Sequence, residues 1–439
     1  MLSEKGSRVD NSVEKRGNGA LSDKILPNAG KSKGKNMFFI LALIMFVALM
    51  QLIQKYYHIE KYLKFHKSYA NSNDNLMKAN LRKFKAGTMV VNRTSTFKEV
   101  VKAPKNPIVV ILEKSGISIT PELLNKISPF SQVQQMYGDK PIVLGLERCQ
   151  EYRQKVDAAD RLVGVAGMFN TGTNLLYDYL NKNCNNPARH AKYGLEGIRW
   201  QVPWGKHSPL SYRGRNFADK DPWAKNYTGF LPVVIIKDPY TWMHSLCRNR
   251  YAADWEFTME HCPNLIPNSV DKYYGFVKDE EHEKHLTQHG IPLKFEYRLD
   301  TVEYSNMAEA WNTWNGDYLN AEFPRLILRF EDLMLHAKSV ITDICHCFGG
   351  TLDDETNFHY ITGSAKSEQH GHANFTAGLK DALLHYTNSS NRLKAFTKDD
   401  VIFANTKLNV TMMKMLSYSL ASAENLDNPW STKSFHRSP

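Results

Sequence analysis

The pattern of apolar and polar positions is clearest from Arg161 to Cys184, RLVGVAGMFNTGTNLLYDYLNKNC. Leu162 to Ala166 is a short apolar run with valine at alternate positions, and it stops at Gly167, so it predicts a buried strand and a turn. A helix is predicted from near Thr173, because Leu175, Leu176, Tyr179 and Leu180 share one face at helical spacing and can pack back on a sheet. Asn170, Thr171, Gly172, Thr173 and Asn174 fall between the two. There, hydroxyls and backbone N–H groups converge on the positive end of a helix, a place suited to an anionic group such as a phosphate. A strand, a glycine turn and a helix also occur in folds that bind nothing there. The loop lacks the lysine of GxxxxGK[ST], so positive charge has to come from elsewhere.

A second run of the same kind spans Leu231 to Arg250, LPVVIIKDPYTWMHSLCRNR. Val233 to Ile236 is β-branched and uninterrupted, as a central parallel strand buried on both faces should be. Lys237, Asp238 and Pro239 end it, and a helix follows from near Tyr240. Lys237 at the strand end and Ser245 inside the helix offer a cation and a hydroxyl to one phosphate. Upstream, Pro107 to Leu112 (PIVVIL) and Pro141 to Leu146 are predicted strands, with a short helix near Pro121 to Ile127 between them. The folded domain is therefore expected from about residue 106, with the strand before the first loop third in line.

Residues 1–36 are polar and lysine-rich, with too few large apolar side chains to fold, and are expected to be a disordered cytosolic tail. Met37 to Ile53, MFFILALIMFVALMQLI, is apolar apart from Gln51 and shows no polar face. At about 1.5 Å per residue it spans most of a hydrocarbon core, which predicts an uncleaved transmembrane anchor. Lysines flank it on both sides, so charge hardly sets its orientation. The glycosylation acceptor patterns at Asn92, Asn226, Asn374, Asn388 and Asn409 all follow it, which favours a luminal domain. Residues 54–105 read as a stem, 106–425 as the luminal domain and 426–439 as a tail.

Composition refines this only slightly. With 439 residues, 42% of them hydrophobic, the chain can bury one large domain plus accessory segments. The net charge of +11 favours anionic partners, but part of it flanks the apolar span, so no nucleic-acid partner is expected. The six cysteines, Cys149, Cys184, Cys247, Cys262, Cys345 and Cys347, allow up to three disulfides in an oxidising lumen. Cys345 and Cys347 point to different faces of one predicted helix and should not pair with each other. No zinc-finger spacing is present.

Taken together, these motifs resemble the sulfotransferases that use 3′-phosphoadenosine-5′-phosphosulfate, in particular Golgi-type single-pass members. Thr171-Gly172-Thr173-Asn174-Leu175-Leu176 is similar to that family's phosphosulfate loop. Lys237-Asp238-Pro239, with Ser245 eight residues after Lys237, is similar to its 3′-phosphate motif. Leu326 to Leu333, LILRFEDL, with a helix from His336 to Phe348 and then Gly349, resembles a third family segment, and Phe396 to Tyr418 resembles its last helix. The resemblance covers about residues 158–420. It implies an α/β fold with a P-loop-like parallel sheet flanked by helices, preceded here by one transmembrane helix. It also implies the phosphosulfate nucleotide as co-substrate without a metal, held by Asn170 to Leu175, Lys237 and Ser245. Asn170 stands where the family usually has Lys or Arg, and Lys237 replaces an Arg, losing its bidentate fork.

The acceptor should enter between these motifs. Lys206-His207-Ser208-Pro209 resembles a family segment whose histidine is the base, and Glu196 is the other candidate base. Lys206 is the candidate to replace the loop cation. Trp200, Trp204, Tyr212 and Trp223, with Arg199, Arg213 and Arg215, crowd this interval and favour a carbohydrate acceptor, although some of these rings are expected in the core. Two alternatives stay open. Asp219-Lys-Asp221 fits the Asp-x-Asp pattern of manganese-dependent glycosyltransferases, and Asn170 could mark a homologue that binds nucleotide without turnover.

Overall fold

The computed structural model describes residues 105–215, 227–258, 260–297, 300–352, 357–365, 378–424 and 426. By its contacts the chain divides into Met1–Val101 and Lys102–Pro439, and every described residue belongs to the second unit. The tail at 1–36, the apolar span at 37–53, the stem up to 104, Asn92, Asn226, Asn374, Asp219, Asp221, Trp223 and residues 427–439 lie outside the described residues. Among the described residues no helix is long and apolar enough to cross a membrane.

The first elements among the described residues are α1 (Pro107–Lys114), α2 (Pro121–Leu124) and α3 (Phe130–Tyr137). PIVVIL is thus a helix, not the expected strand. The Asn106 side chain accepts from the Ile108 amide at 2.9 Å and Pro107 takes the first helical position. Ile108, Ile111 and Leu112 then fall on one buried face, so cap and period outweigh β-branched propensity. The strand expected over Pro141 to Leu146 shrinks to β1 (Val143–Leu144), followed by α4 (Cys149–Lys155).

Next come β2 (Leu162–Ala166), α5 (Thr173–Asn183), β3 (Cys184–Asn185), α6 (Pro187–Tyr193), β4 (Ile198–Arg199), β5 (Phe230–Ile236) and α7 (Pro239–Arg248). Among the described residues the strand before the loop is therefore second, not third. A three-stranded sheet and its helices follow: β6 (Ala253–Asp254), α8 (Ser269–Tyr273), α9 (Glu280–His289), β7 (Leu293–Tyr297), β8 (Asp300–Tyr304) and α10 (Met307–Leu319). The chain then returns through β9 (Leu326–Arg329), α11 (Phe330–Leu335), α12 (Ala337–Phe348) and β10 (Thr351–Leu352). It finishes with α13 (Leu379–Tyr386), α14 (Ser389–Leu393), α15 (Lys398–Lys407) and α16 (Val410–Met415). The single last helix expected over Phe396 to Tyr418 is two helices. Leu408 is extended, and the Asn409 side chain caps α16 by accepting from the Met412 amide.

The central sheet runs β1-β9-β5-β2-β4, with β1 antiparallel to β9 and the other neighbours parallel. Every position of β2, β5 and β9 is buried, as strands covered by helices on both faces require. The architecture is a mixed α/β fold with a parallel-containing sheet flanked by helices. The chain leaves β2 for β4 on one side and returns to β5 on the other. That reversal opens a crevice beyond the carboxyl ends of β2 and β5, the usual ligand position in open α/β sheets.

All six cysteines are paired. Cys149–Cys347 ties α4 to α12, Cys184–Cys345 ties β3 to α12, and Cys247–Cys262 ties α7 to the loop after β6. Cys345 and Cys347 take different partners, as their different helix faces require.

Candidate functional site

The loop after β2 is shaped by close approach. A Cβ on Gly167 would meet the Thr171 hydroxyl at 2.6 Å and the Ile235 carbonyl at 2.8 Å, so only glycine lets the chain leave the sheet this near β5. Asn170 at φ 66° and Gly172 at φ 89° then turn it into α5. The Thr171 hydroxyl donates to the Met168 carbonyl at 2.8 Å, so it staples the loop and does not line the cavity. No side chain among the described residues caps α5, which leaves the amides of its first turn for a ligand.

Lys237 enters from β5. Its carbonyl accepts from the Trp311 indole at 2.9 Å, and the next amide, Asp238, donates to Glu331 at 3.1 Å. The Asp238 carboxylate caps α7 through the Thr241 amide at 3.0 Å and accepts two bonds from Arg392 at 3.0 and 2.5 Å. With its backbone held on both sides, the buried Lys237 amine donates to the Ser245 hydroxyl at 3.0 Å, the Tyr386 hydroxyl at 2.8 Å and the Asn170 carbonyl at 3.4 Å. The two loops expected to act together do meet at this amine.

Lys206 and His207 arrive along the β4 side of β2, past the two positions that β4 itself pairs. Beyond β4, the Val202 amide donates to Val165 at 3.1 Å and the Gly167 amide to Lys206 at 2.9 Å, which zips this segment to the loop mouth. The Lys206 amine donates to Asn174 Oδ1 at 2.7 Å and lies 3.3 Å from the centre of the Trp200 ring. Burial pushes it down to about 7, against the charge of Asp178. His207 Nδ1 donates to the Gly167 carbonyl at 2.8 Å, and its ring stacks on Phe169 at 4.3 Å. Burial, then the Lys206 charge, push the imidazole down to about 4, against the carbonyls of Gly167 and Met168. The ring is neutral, and with the proton on Nδ1 the lone pair is on Nε2.

A cavity of about 650 Å³ joins these parts. Asn170, Gly172, Thr173, Asn174 and Leu175 line it from the first loop and helix, Lys237 and Ser245 from the second, and Lys206 and His207 from the third. Glu196 does not line it. Its carboxylate accepts from the Asn186 amide at 3.0 Å and meets His190 Nδ1 at 2.5 Å, clamping the start of α6 to its middle. Nor does the acceptor interval line the cavity as a whole. Trp204 and Tyr212 are core residues, and the Trp204 indole donates to the Tyr318 hydroxyl at 2.8 Å. Arg213 lies 4.1 Å over Phe323, and Arg215 pairs with Asp300 at 3.6 Å. Of that group only Trp200 lines the cavity among the described residues.

Asp178, Arg248, His385 and Tyr386 are among the lining residues that were not expected. Arg248 was legible, because it sits three residues after Ser245 on the same face of α7. Asp178 likewise follows Asn174 by one turn. His385 and Tyr386 come from α13, which carries no motif. Burial and then the charges of Arg248 and Lys237 push His385 down to about 4. Burial alone raises the Tyr386 phenol, yet the charges and hydrogen bonds of Lys237 and Arg248 outweigh it and hold the group below its ordinary value. Among the described residues no group of three or more His, Cys, Asp or Glu side chains is placed to hold a metal ion. No protein-family model matches this chain, and a search of curated proteins finds no match.

Proposed function

We propose that the protein moves a sulfuryl group from 3′-phosphoadenosine-5′-phosphosulfate to a carbohydrate hydroxyl, as a single-pass Golgi protein with its domain in the lumen. One observation carries the reading. Two adjacent parallel strands deliver an uncapped helix N-terminus and a buried lysine with hydroxyl partners to one cavity, with the lysine amine 3.4 Å from the Asn170 carbonyl. Each strand end suits an anion, and one doubly anionic nucleotide would engage both. The volume is within the usual range of about 300–1,000 Å³ for such ligands. Paired cysteines and the acceptor patterns after the apolar span support an oxidising luminal setting.

In this reading Lys237, Ser245, Tyr386 and Arg248 hold the 3′-phosphate, while the first turn of α5 and Thr173 hold the phosphosulfate. His207 takes the acceptor proton as the acceptor oxygen bonds to sulfur. The sulfur–oxygen bond to the 5′-phosphate breaks, and the electron pair stays on that oxygen. Lys206 supplies the cation that Asn170 lacks. A nearby dianion raises its pKa and keeps it charged, so it can stabilise the departing oxygen together with the loop amides.

Calorimetric titration with 3′,5′-adenosine bisphosphate tests the reading. Saturable binding without divalent metal, weakened in Lys237→Ala and Ser245→Ala, is expected. Absence of binding, or manganese-dependent binding of a nucleotide sugar that is lost in Asp221→Ala, overturns it.

A further inference from the structure

We infer that the acceptor is a neutral sugar, its ring laid on Trp200 and a hydroxyl taken by Asp178, and that polyanionic chains are poor substrates. This rests on the sulfuryl-transfer reading and names the substrate of the same cavity. Asn174, Leu175 and Asp178 line it together because they share one face of α5. Asn174 is bound to the Lys206 amine, next in sequence to His207, so this face of α5 borders the acceptor end of the cavity. One turn further along, Asp178 is half-buried, and its carboxyl is raised by burial against the charges of Lys182 and Lys206.

Trp200 is 45% exposed and lines the cavity. Tyr177 packs edge-on against it at 5.2 Å and the Lys206 amine lies over it at 3.3 Å. The ring is therefore held in place and still open to the cavity, at little entropic cost to a ligand that stacks there. A fixed indole and a carboxylate that line one cavity and both interact with Lys206 match a pyranose, whose C–H face is apolar and whose edge is a row of hydroxyl donors.

Charge decides between neutral and acidic sugars. Lys237 and Arg248 belong to the Ser245 and Tyr386 end, where the nucleotide phosphate goes, and Lys206, whose amine lies over one face of Trp200 at 3.3 Å, is committed in this reading to the departing oxygen of the nucleotide. Arg199, Arg213 and Arg215, which could have gripped uronates or sulfates, do not line the cavity. Its described lining does include the carboxylates of Asp178 and Asp381. An acidic sugar on Trp200 would bring like charge against a partly desolvated Asp178, and that repulsion discriminates.

The test measures labelled-sulfate transfer by the full chain to a neutral galactose-terminated tetrasaccharide and to a uronate-containing tetrasaccharide of equal length. The neutral acceptor should be favoured in kcat/KM. Trp200→Ala and Asp178→Asn should each raise its KM about tenfold, the size of one stacking contact or charge-assisted hydrogen bond, with bisphosphate affinity unchanged. Asp178→Lys should shift preference toward the uronate. Preference of the native chain for the uronate, unchanged KM in both variants, or transfer to neither while the bisphosphate still binds overturns the acceptor assignment alone. Failure to bind the bisphosphate removes the functional reading beneath it.

Discussion

The amine of Lys237 lies 2.8 Å from the phenol oxygen of Tyr386, a residue 149 positions further along the chain. Lys237 is only 2% exposed, and its other partners, the Ser245 hydroxyl and the Asn170 carbonyl, are also neutral. The rings of Phe330 and Tyr386 lie 4.6 and 4.4 Å from the amine. A buried ammonium surrounded by dipoles and rings is completed electrostatically by an anion.

Bisphosphate affinity should follow that arrangement. Tyr386→Phe should weaken binding about tenfold and Lys237→Ala about a hundredfold, since hydrogen bonds to charged groups contribute roughly 1.5–3 kcal/mol each. Calorimetry reads both. Equal affinity in the native chain and both variants would mean that the nucleotide does not use this pocket.

His207 and Glu196 separate by rate. His207→Ala should reduce sulfate transfer by about a hundred- to ten-thousandfold, the range of a lost general base. Glu196→Gln should leave kcat close to native and instead lower the unfolding temperature, because Glu196 holds α6 together. A slow Glu196→Gln beside an active His207→Ala would exchange the two roles.

Lys206 sets the alkaline limb of activity. Burial holds its amine near 7, and a bound dianion would lift it. The charged form is the one required, so kcat should fall as pH rises through the lifted value. Lys206→Arg, charged at every accessible pH, should flatten that limb, whereas Lys206→Gln should be slow throughout. A native alkaline limb retained in Lys206→Arg would assign the titration elsewhere.

Outside the cavity lining, His261 bridges Asp271 at 2.8 Å and Asp400 at 2.9 Å. Burial opposes its charge, yet the two carboxylates outweigh that and raise the imidazole from 6.5 to about 9. A folded value above the unfolded one gives stability that is fully present below about 6.5 and lost as pH rises through about 9. His261→Gln should cost about 3–5 kcal/mol at pH 6. Urea unfolding should show the gap to the native chain narrowing toward alkaline pH, and a constant gap would show that His261 is neutral when folded.

Local patterns carried much of the site. Gly167 and Gly172 marked the loop, and the eight-residue spacing from Lys237 to Ser245 placed both on the cavity because a strand end and two helical turns have fixed geometry. PIVVIL misled because a β-branched run buried on one side has the same composition as a strand, and the Asn106 cap and Pro107 decided otherwise. Trp204 and Tyr212 carry the same chemistry as Trp200, and only packing against Tyr318 and its neighbours separates core rings from a lining one.

The amino-acid order by itself determined two strand–turn–helix units and the residues at their turns, because run length, caps and helical period act over about ten neighbours. Tertiary structure alone decided that Tyr386 and His385 face Lys237, that Glu196 clamps a helix, and which cysteines pair. Those relations join positions far apart in the chain. They arise from how elements stack around the sheet, which no short stretch of sequence encodes.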